Sequence, residues 1–563
     1  MKQASRKIAL VLLFTMILSL LAACAGNNGN TGNNGNEATE GTNTNTNGNT
    51  GTEQPAGEWA VKKFDPPVTV TSAIAIRDSD KLRGGDTPEN NPITRYFEET
   101  NGIKTKWKWL LTDQNDALNQ KIRLALASGE ELPDVLAVGD AVLLNELIES
   151  GSIMSIDEAF EKYASPRTKE AYEKNKDVWQ AVTKDGKKWA LPQISDGFVG
   201  DPIMWIREDW LKAVNMKAPT NLEEFEAVLA AFKKKYPDKT PLAVTGKNTQ
   251  SPLSGWMGDV QFLFGSTQPY IWDKDANGKL QYGSVQPTAK DALVKLNDWF
   301  NKGYISKEFG THDEQKATSI FTAGDAGIVF GPGWMGGWPI SDTLKNVKGS
   351  EVKAYELPSG IDGNVGRTGT KLAYNMYVFR KGFDNMEAIF QIWDAGLGYL
   401  LEDEKNPFAA GFGEGYDYVM KDGKPSWDVP EGNVELRYLL VAPGNKPPGM
   451  VEGPSIYERV LAGKKDTVYE QKVAFSSQPL SLEGNATALK QLDKAHRNLY
   501  IGAPTKTYSE KWTLLNTLET ETFIKIVYGK AKPEAFDQFV KDWKAKGGDA
   551  ITEEVNAWYE EVK

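Results

Sequence analysis

The sequence predicts an α/β protein, and three observations carry that expectation. Val68 to Ile76 places apolar side chains at most even positions, the pattern of a strand with one buried face. Gln114–Ser128 carries Leu118, Ile122 and Leu126 four apart, one stripe of an amphipathic helix. The apolar run Leu132-Pro133-Asp134-Val135-Leu136-Ala137-Val138 then reads as a short buried strand. Strands and helices alternating at this spacing imply a parallel sheet with helices on both faces.

The remaining elements follow in chain order. A helix is expected around Asn91–Thr100, ended by Asn101-Gly102, with a second strand at Thr105–Leu110. Asp140 is placed to cap a helix bearing Leu143, Leu144 and Leu147, which stops at Gly151. Trp189-Ala190-Leu191-Pro192 reads as a crossing strand and Met204–Arg207 as another strand. Asn221–Tyr236 reads as a helix capped by Thr220 or Asn221. Asp273–Leu280 is a hairpin turn, and Thr288–Lys302 a helix closed by Gly303. Ala326–Phe330 is a buried strand running into Gly331-Pro332-Gly333-Trp334-Met335-Gly336-Gly337-Trp338. Lys371–Arg380 reads as a strand returning to the first lobe of the body. Residues 400–505, rich in Gly and Pro, read as irregular, and Ser509–Lys563 as mostly helical. Ligands of such sheets sit beyond the strand carboxyl ends, which puts Arg77–Lys81 and Gly139-Asp140 at a cleft rim.

Composition removes several functions. The chain holds one cysteine and two histidines, His312 and His496. Zinc sites and serine hydrolases depend on histidine, so both classes lose most of their ground. The motifs H-E-x-x-H, G-x-S-x-G and G-x-x-x-x-G-K-[ST] do not occur. The formal charge of −11 becomes −14 once Lys2, Arg6 and Lys7 of the leader are removed, which argues against nucleic acid and anionic lipid as partners. Aromatic residues are abundant instead: 17 Trp, 22 Phe and 20 Tyr.

The amino terminus has a basic start, an apolar stretch from Ile8 to Leu21, and small residues before Cys24, which together make a secretory signal peptide. The stretch is short of the ~20 residues a membrane span needs. Leu21-Ala22-Ala23-Cys24 resembles the lipobox of bacterial lipoproteins. That resemblance implies cleavage before Cys24, a diacylglycerol on its thiol and acylation of its new amine. The lipid would hold the protein on the outer face of the cytoplasmic membrane. From Ala25 to about Gly57 the chain is nearly all Asn, Gly, Thr and Glu, a composition that cannot seed a core and behaves as a flexible tether.

The body resembles the extracellular solute-binding proteins of carbohydrate ABC importers, and within them the LplA/LipO type of lipoprotein. The residues that carry this are Leu126-Ala127-Ser128-Gly129 with Leu132-Pro133-Asp134-Val135 and the stretch Leu147 to Ile156, then Thr220-Asn221-Leu222-Glu223-Glu224-Phe225. Further on they are Ala323-Gly324-Asp325-Ala326-Gly327-Ile328 with Trp334, and Gly547-Gly548-Asp549-Ala550-Ile551 through Trp558-Tyr559. The resemblance implies a two-lobed periplasmic-binding-protein fold of type II, with mixed sheets flanked by helices and a ligand cleft between the lobes. Lobe I is expected at about 66–192 plus 371–400, and lobe II at about 193–353 plus parts of the C-terminal region. The implied partners are an oligosaccharide, the permease subunits, and the membrane through the lipid alone. No cofactor is implied, and the chain is expected to act as a monomer. A surface-anchored polysaccharide-degrading enzyme and a sugar receptor for signalling remain as alternatives. One departure concerns calcium. Several relatives carry an Asp/Asn-Gly calcium loop after the helix matching Asn221–Tyr236, where this chain has Lys233-Lys234-Lys235-Tyr236-Pro237-Asp238. The other candidate, Asp273, Asp275 and Asn277, matches half an EF-hand loop but has Ser284 where a bidentate Glu is required, so a hairpin turn is the preferred reading.

Sugars present apolar faces ringed by hydroxyls, so their sites need flat aromatic platforms with a few oriented polar groups. Trp334 and Trp338, flanked by glycines just past a buried strand, are the leading candidates, with Trp256 in Ser254-Gly255-Trp256-Met257-Gly258 in a similar setting. Asp140 could accept sugar hydroxyls. Asp196 and Arg367 follow the two crossing strands, and Arg367 could pair with a uronic carboxylate. Trp107 and Trp109, alternating with Lys106 and Lys108, suit strand packing better than a site.

Overall fold

The computed structural model describes residues 60–77, 82–112, 116–248, 251–429 and 438–563. Cys24, the leader, the linker and residues 78–81 of the expected cleft rim lie outside the described residues.

Strand β1 (Val68–Ile76) pairs in parallel with β2 (Ile103–Thr112), through the helix Pro92–Asn101. That helix starts in a capping box, in which Asn91 accepts the Ile93 and Thr94 amides and the Thr94 hydroxyl accepts the Asn91 amide. It ends on Gly102 at φ 65°, a left-handed conformation that suits glycine. After the helix Ala117–Ser128 come β3 (Val135–Val138) and β4 (Leu191–Ile194). The chain then leaves the first sheet.

Strands β5 (Pro202–Arg207), β6 (Thr240–Leu242), β7 (Ala326–Pro332) and β8 (Val352–Tyr355) form a second sheet in the order β8-β5-β7-β6. Every residue of β5 and β7 is buried, as central strands covered on both faces require. Strand β9 (Ala373–Phe379) returns to the first sheet and lies between β3 and β4, antiparallel to both. The parallel pair β1-β2 is a sheet of its own, the three-stranded sheet β3-β9-β4 is antiparallel throughout, and the second sheet is mixed, since β7 is antiparallel to β5 and parallel to β6. The parallel sheet read from simple alternation is therefore corrected, while the mixed sheets implied by the family resemblance are present. The alternation holds within each lobe, but a strand arriving from the other lobe carries no βαβ crossover to fix its direction.

Each sheet has its own core. The first packs Ile93, Phe97, Phe160, Tyr172, Phe379 and Trp393. The second packs Phe225, Phe232, Phe262, Trp299, Phe330 and residues of the C-terminal helices. The fold is thus the two-lobed α/β architecture. Among the described residues the chain passes between lobes three times: at Ser195–Asp201, at Arg367–Leu372, and after the Leu439–Ala442 segment of the first core. Residues 400–505 are not irregular throughout, contrary to expectation. They include the helices Ile456–Leu461, Val468–Ser476 and Pro479–Lys490, the last packed on the second sheet.

Candidate functional site

Two tryptophans 78 positions apart in sequence meet at the carboxyl end of β7. Trp256 and Trp334 stack with ring centroids 5.1 Å apart and planes 28° apart, and Trp256 is 38% exposed. Trp334 sits on a short 3-10 turn, Gly333–Gly336, directly after β7. Its flanking glycines have a packing reason. A Cβ on Gly333 would lie 2.5 Å from the Gly484 carbonyl carbon, and one on Gly336 would lie 2.3 Å from that of Leu480. Glycine therefore lets the helix Pro479–Lys490 lie against the backbone of this turn. The space that these two glycines leave is taken by that helix.

The Trp256 loop is tied to the same strand. The Gly258 amide donates to the Phe330 carbonyl at 2.8 Å, and the Trp256 amide donates to Glu314 Oε1 at 2.8 Å. Asp259, fully enclosed behind the loop, accepts the Gln261 amide at 2.7 Å. Burial pushes the Asp259 carboxyl up to about 7, against hydrogen bonds from the Gln261 and Gly255 amides. Glu314 is also raised, again chiefly by burial, with the Asp313 charge adding to it. Trp338 stands four residues on, 52% exposed, and makes no ring contact among the described residues. The structure brings Trp256 and Trp334 together and leaves Trp338 apart.

The first lobe offers polar groups at the ends of β3, β4 and β9. Asp140 caps the helix Ala141–Glu149, with Oδ1 accepting the Val142 amide at 2.8 Å, and Oδ2 is paired with Arg123 at 2.6 Å. Both of its oxygens are thus engaged. Beside it, a Cβ on Gly139 would lie 3.2 Å from Asn375 Oδ1, and the Asn375 amide donates to Gln193 Oε1 at 3.0 Å. Asn375 is exposed, and Tyr374 next to it is 40% exposed. The sequence reading did not single out these three residues. The available signal was the place of Tyr374 and Asn375 just before the buried run Met376–Phe379, and of Gln193 on the crossing strand.

Asp196 begins the first crossing and accepts the Phe198 and Val199 amides, each at 3.0 Å. Burial raises its carboxyl above the usual range, opposed by those two bonds. Phe198 then enters the core cluster that holds Met257 and Met335 and against which Trp334 packs. The crossing and Trp334 therefore share one core. Arg367 is fully buried, with Nη2 2.7 Å from Asp201 Oδ2, and both side chains are 0% exposed. It belongs to the interior of the crossings rather than to a ligand surface. Asp273 lies 2.8 Å from His496 Nδ1, and Asp275 accepts the Asn277 and Lys279 amides at 2.8 and 2.9 Å. That arrangement is a closed hairpin turn. Among the described residues no group of three or more His, Cys, Asp or Glu assembles for a metal ion.

Residues 82–389 match the family described as bacterial extracellular solute-binding protein. Lipoprotein LipO of Bacillus subtilis is 22% identical over 513 residues, covering 88% of this chain and 95% of that protein. The polygalacturonan/rhamnogalacturonan-binding protein YtcQ of the same organism is 28% identical, covering 80% of this chain and 84% of that protein. Among solved structures, an extracellular solute-binding protein from Bifidobacterium longum subsp. infantis superposes with TM-score 0.63 at 18% identity, covering 89% of this chain and 99% of that one.

Proposed function

We propose that this chain, which belongs to the bacterial extracellular solute-binding protein family, captures an oligosaccharide on its Trp256–Trp334 pair and delivers it to an ABC permease. The observation that carries this reading is the indole pair itself. Two stacked rings, one of them well exposed, stand beside the crossings between two separately packed lobes. An aromatic face covers the apolar side of a pyranose, and amide and hydroxyl groups such as Asn375, Gln193 and Tyr374 suit its hydroxyls. Hinging at the three crossings closes the lobes on the ligand. The similarity to YtcQ, a polygalacturonan/rhamnogalacturonan-binding protein, supports a carbohydrate as the solute. Cys24, lipidated after signal cleavage, tethers the protein to the outer face of the membrane through a flexible linker. No described helix is long and apolar enough to cross a membrane.

The test is a titration of wild type and Trp334→Ala against plant-wall oligosaccharides, followed by chromatography of the sugar after long incubation. Wild type is expected to bind stoichiometrically and return the sugar intact, with the variant binding more weakly. Steady product release would replace this reading with that of a surface hydrolase.

A further inference from the structure

We propose that Glu314 is the specificity-determining residue of the indole site, fixing the Trp256 face and selecting a neutral oligosaccharide over one carrying uronate groups. The inference rests on the carbohydrate reading above and deepens it. Its starting point is how tightly the carboxylate is set against the platform. Glu314 Oε1 accepts the Trp256 amide at 2.8 Å, and a Cβ on Gly255 would lie 2.4 Å from that oxygen. Its second oxygen, Oε2, takes no hydrogen bond among the described residues. Half-buried and beside an exposed indole, that oxygen is an acceptor for a ligand hydroxyl.

Three carboxyl groups gather near the platform, with Lys316 on the Glu314 helix and Lys247 as the cations beside them. Asp259 is enclosed in the same loop, and Asp313 adjoins Glu314. The charge that acts on Asp259 is that of Glu314, and the charge that acts on Glu314 is that of Asp313. The nearby cation Lys247 is 62% exposed and lies 3.9 Å from Asp313, a loose surface pair. Arginine recognises a sugar carboxylate best, through paired N–H donors. Among the described residues, three arginines beside the cleft elements and crossings are committed elsewhere. Arg123 is held by Asp140 and Glu146, Arg497 by the Thr370 and Gly197 carbonyls, and Arg367 lies buried against Asp201. A uronate seated on Trp256 would therefore meet Glu314 without help from these three guanidinium groups. At ~5 Å and an effective dielectric of about 20, that repulsion is worth a factor of ten or more in affinity.

The experiment is calorimetric titration of the full chain in detergent at pH 7 with two panels of hexasaccharides. The neutral panel holds xylo-, gluco-, galacto- and fructo-oligosaccharides, and the acidic panel oligogalacturonate and oligomannuronate. A member of the neutral panel is expected to bind at least tenfold more tightly than any uronate. In Glu314→Gln the amide oxygen still accepts the Trp256 N–H, so the near-ultraviolet dichroism of the stacked indoles should persist. Meanwhile the neutral-to-uronate affinity ratio should shrink about tenfold. Glu314→Ala should lose both the dichroic signature and most of the affinity. A uronate as the tightest ligand, or an unchanged ratio in Glu314→Gln, overturns the selection by Glu314 and leaves the carbohydrate reading standing. Absence of binding from both panels overturns the carbohydrate reading and this inference with it.

Discussion

Replacing Arg367 by Met separates a structural role from a ligand role for this residue. Its pair with Asp201 is enclosed on both sides, at 0% exposure each, where the first and second crossings meet. The geometry is incomplete. Nη2 donates to the Ala488 carbonyl at 3.2 Å, while Nε, Nη1 and Asp201 Oδ2 find no hydrogen-bond partner among the described residues. Asp201 Oδ1 accepts the Thr370 amide and hydroxyl, each at 2.6 Å. Burial is the largest influence on both groups, raising the aspartate and lowering the arginine against their mutual attraction. The pair is thus worth little as a unit, yet its survivor is costly alone. Removing one partner of a buried pair costs about 3–5 kcal/mol, whereas removing both is often near neutral. Arg367→Met should lose about that much stability at pH 7.5 in urea melts. Arg367→Met with Asp201→Asn, which keeps an acceptor for Thr370, should return to within about 1 kcal/mol of wild type, giving a large coupling energy. The sign with pH follows from Asp201. A carboxyl raised above its unfolded value holds its proton in the folded state, so the deficit of the single variant grows as pH rises from below 4 toward neutrality. A single variant within 1 kcal/mol of wild type, or a double variant as unstable as the single, would refute this account. Lost ligand binding with stability retained would return Arg367 to the site.

Trp334→Ala should weaken oligosaccharide binding by about 1–3 kcal/mol, from the apolar area its ring offers, or roughly five- to 150-fold. Its stability loss should fall short of the ~3–5 kcal/mol of a core aromatic, because the ring is only partly buried; calorimetry and denaturant melts read both. Glu519 is fully buried, accepts the Tyr282 hydroxyl at 2.9 Å, and is pushed by burial from 4.5 to about 7, with Ser284, Tyr270 and Tyr508 also near. Wild-type stability should therefore fall as pH rises from 4.5 to 7, and Glu519→Gln should gain about 2–3 kcal/mol more on wild type at pH 8 than at pH 5. A gain independent of pH in paired melts would contradict that. Cys24→Ser should move the protein to the soluble fraction with its melting behaviour unchanged, since stable anchoring takes two acyl chains. A variant that still pellets with membrane would rule out the lipobox.

The parts of the fold visible in sequence are those where local chemistry and tertiary packing agree. Asn101-Gly102 marked the end of the first helix, and Gly102 takes the left-handed cap. The run Ala326–Phe330 is a fully buried central strand. The helices after residue 455 were missed because their apolar faces are weak, with only Tyr469 and Glu470 buried on Val468–Ser476. A local signal was nonetheless present. Ser455 with Glu458 and Thr467 with Glu470 are both capping boxes, and Pro479 opens the third helix at a position where its missing N–H costs nothing. Strand direction in the first sheet had no such signal. Whether β9 runs with or against β3 depends on where the chain returns from the other lobe, and no residue of β9 encodes that.

The same division explains the site. Residue type and flanking glycines mark Trp334 and Trp256 as candidates, but their stacking depends on two loops converging on β7 from distant parts of the chain. The glycines around Trp334 are visible in the sequence, but what they accommodate is not. A glycine next to an aromatic residue signals close backbone approach, and sequence does not say whether the approaching group is a ligand or a helix. Here the helix Pro479–Lys490 fills that space and closes on β5 as well, where a Cβ on Gly484 would lie 2.8 Å from the Trp205 ring. The turn that carries Trp334 is consequently clamped between a central strand and a helix. A platform held this way has little conformational freedom to lose when a sugar docks on it, which favours affinity from a modest contact area. Arg367 shows the converse. An arginine beside a crossing is equally consistent with a ligand clamp and a buried brace, and only its complete enclosure with Asp201 distinguishes the two.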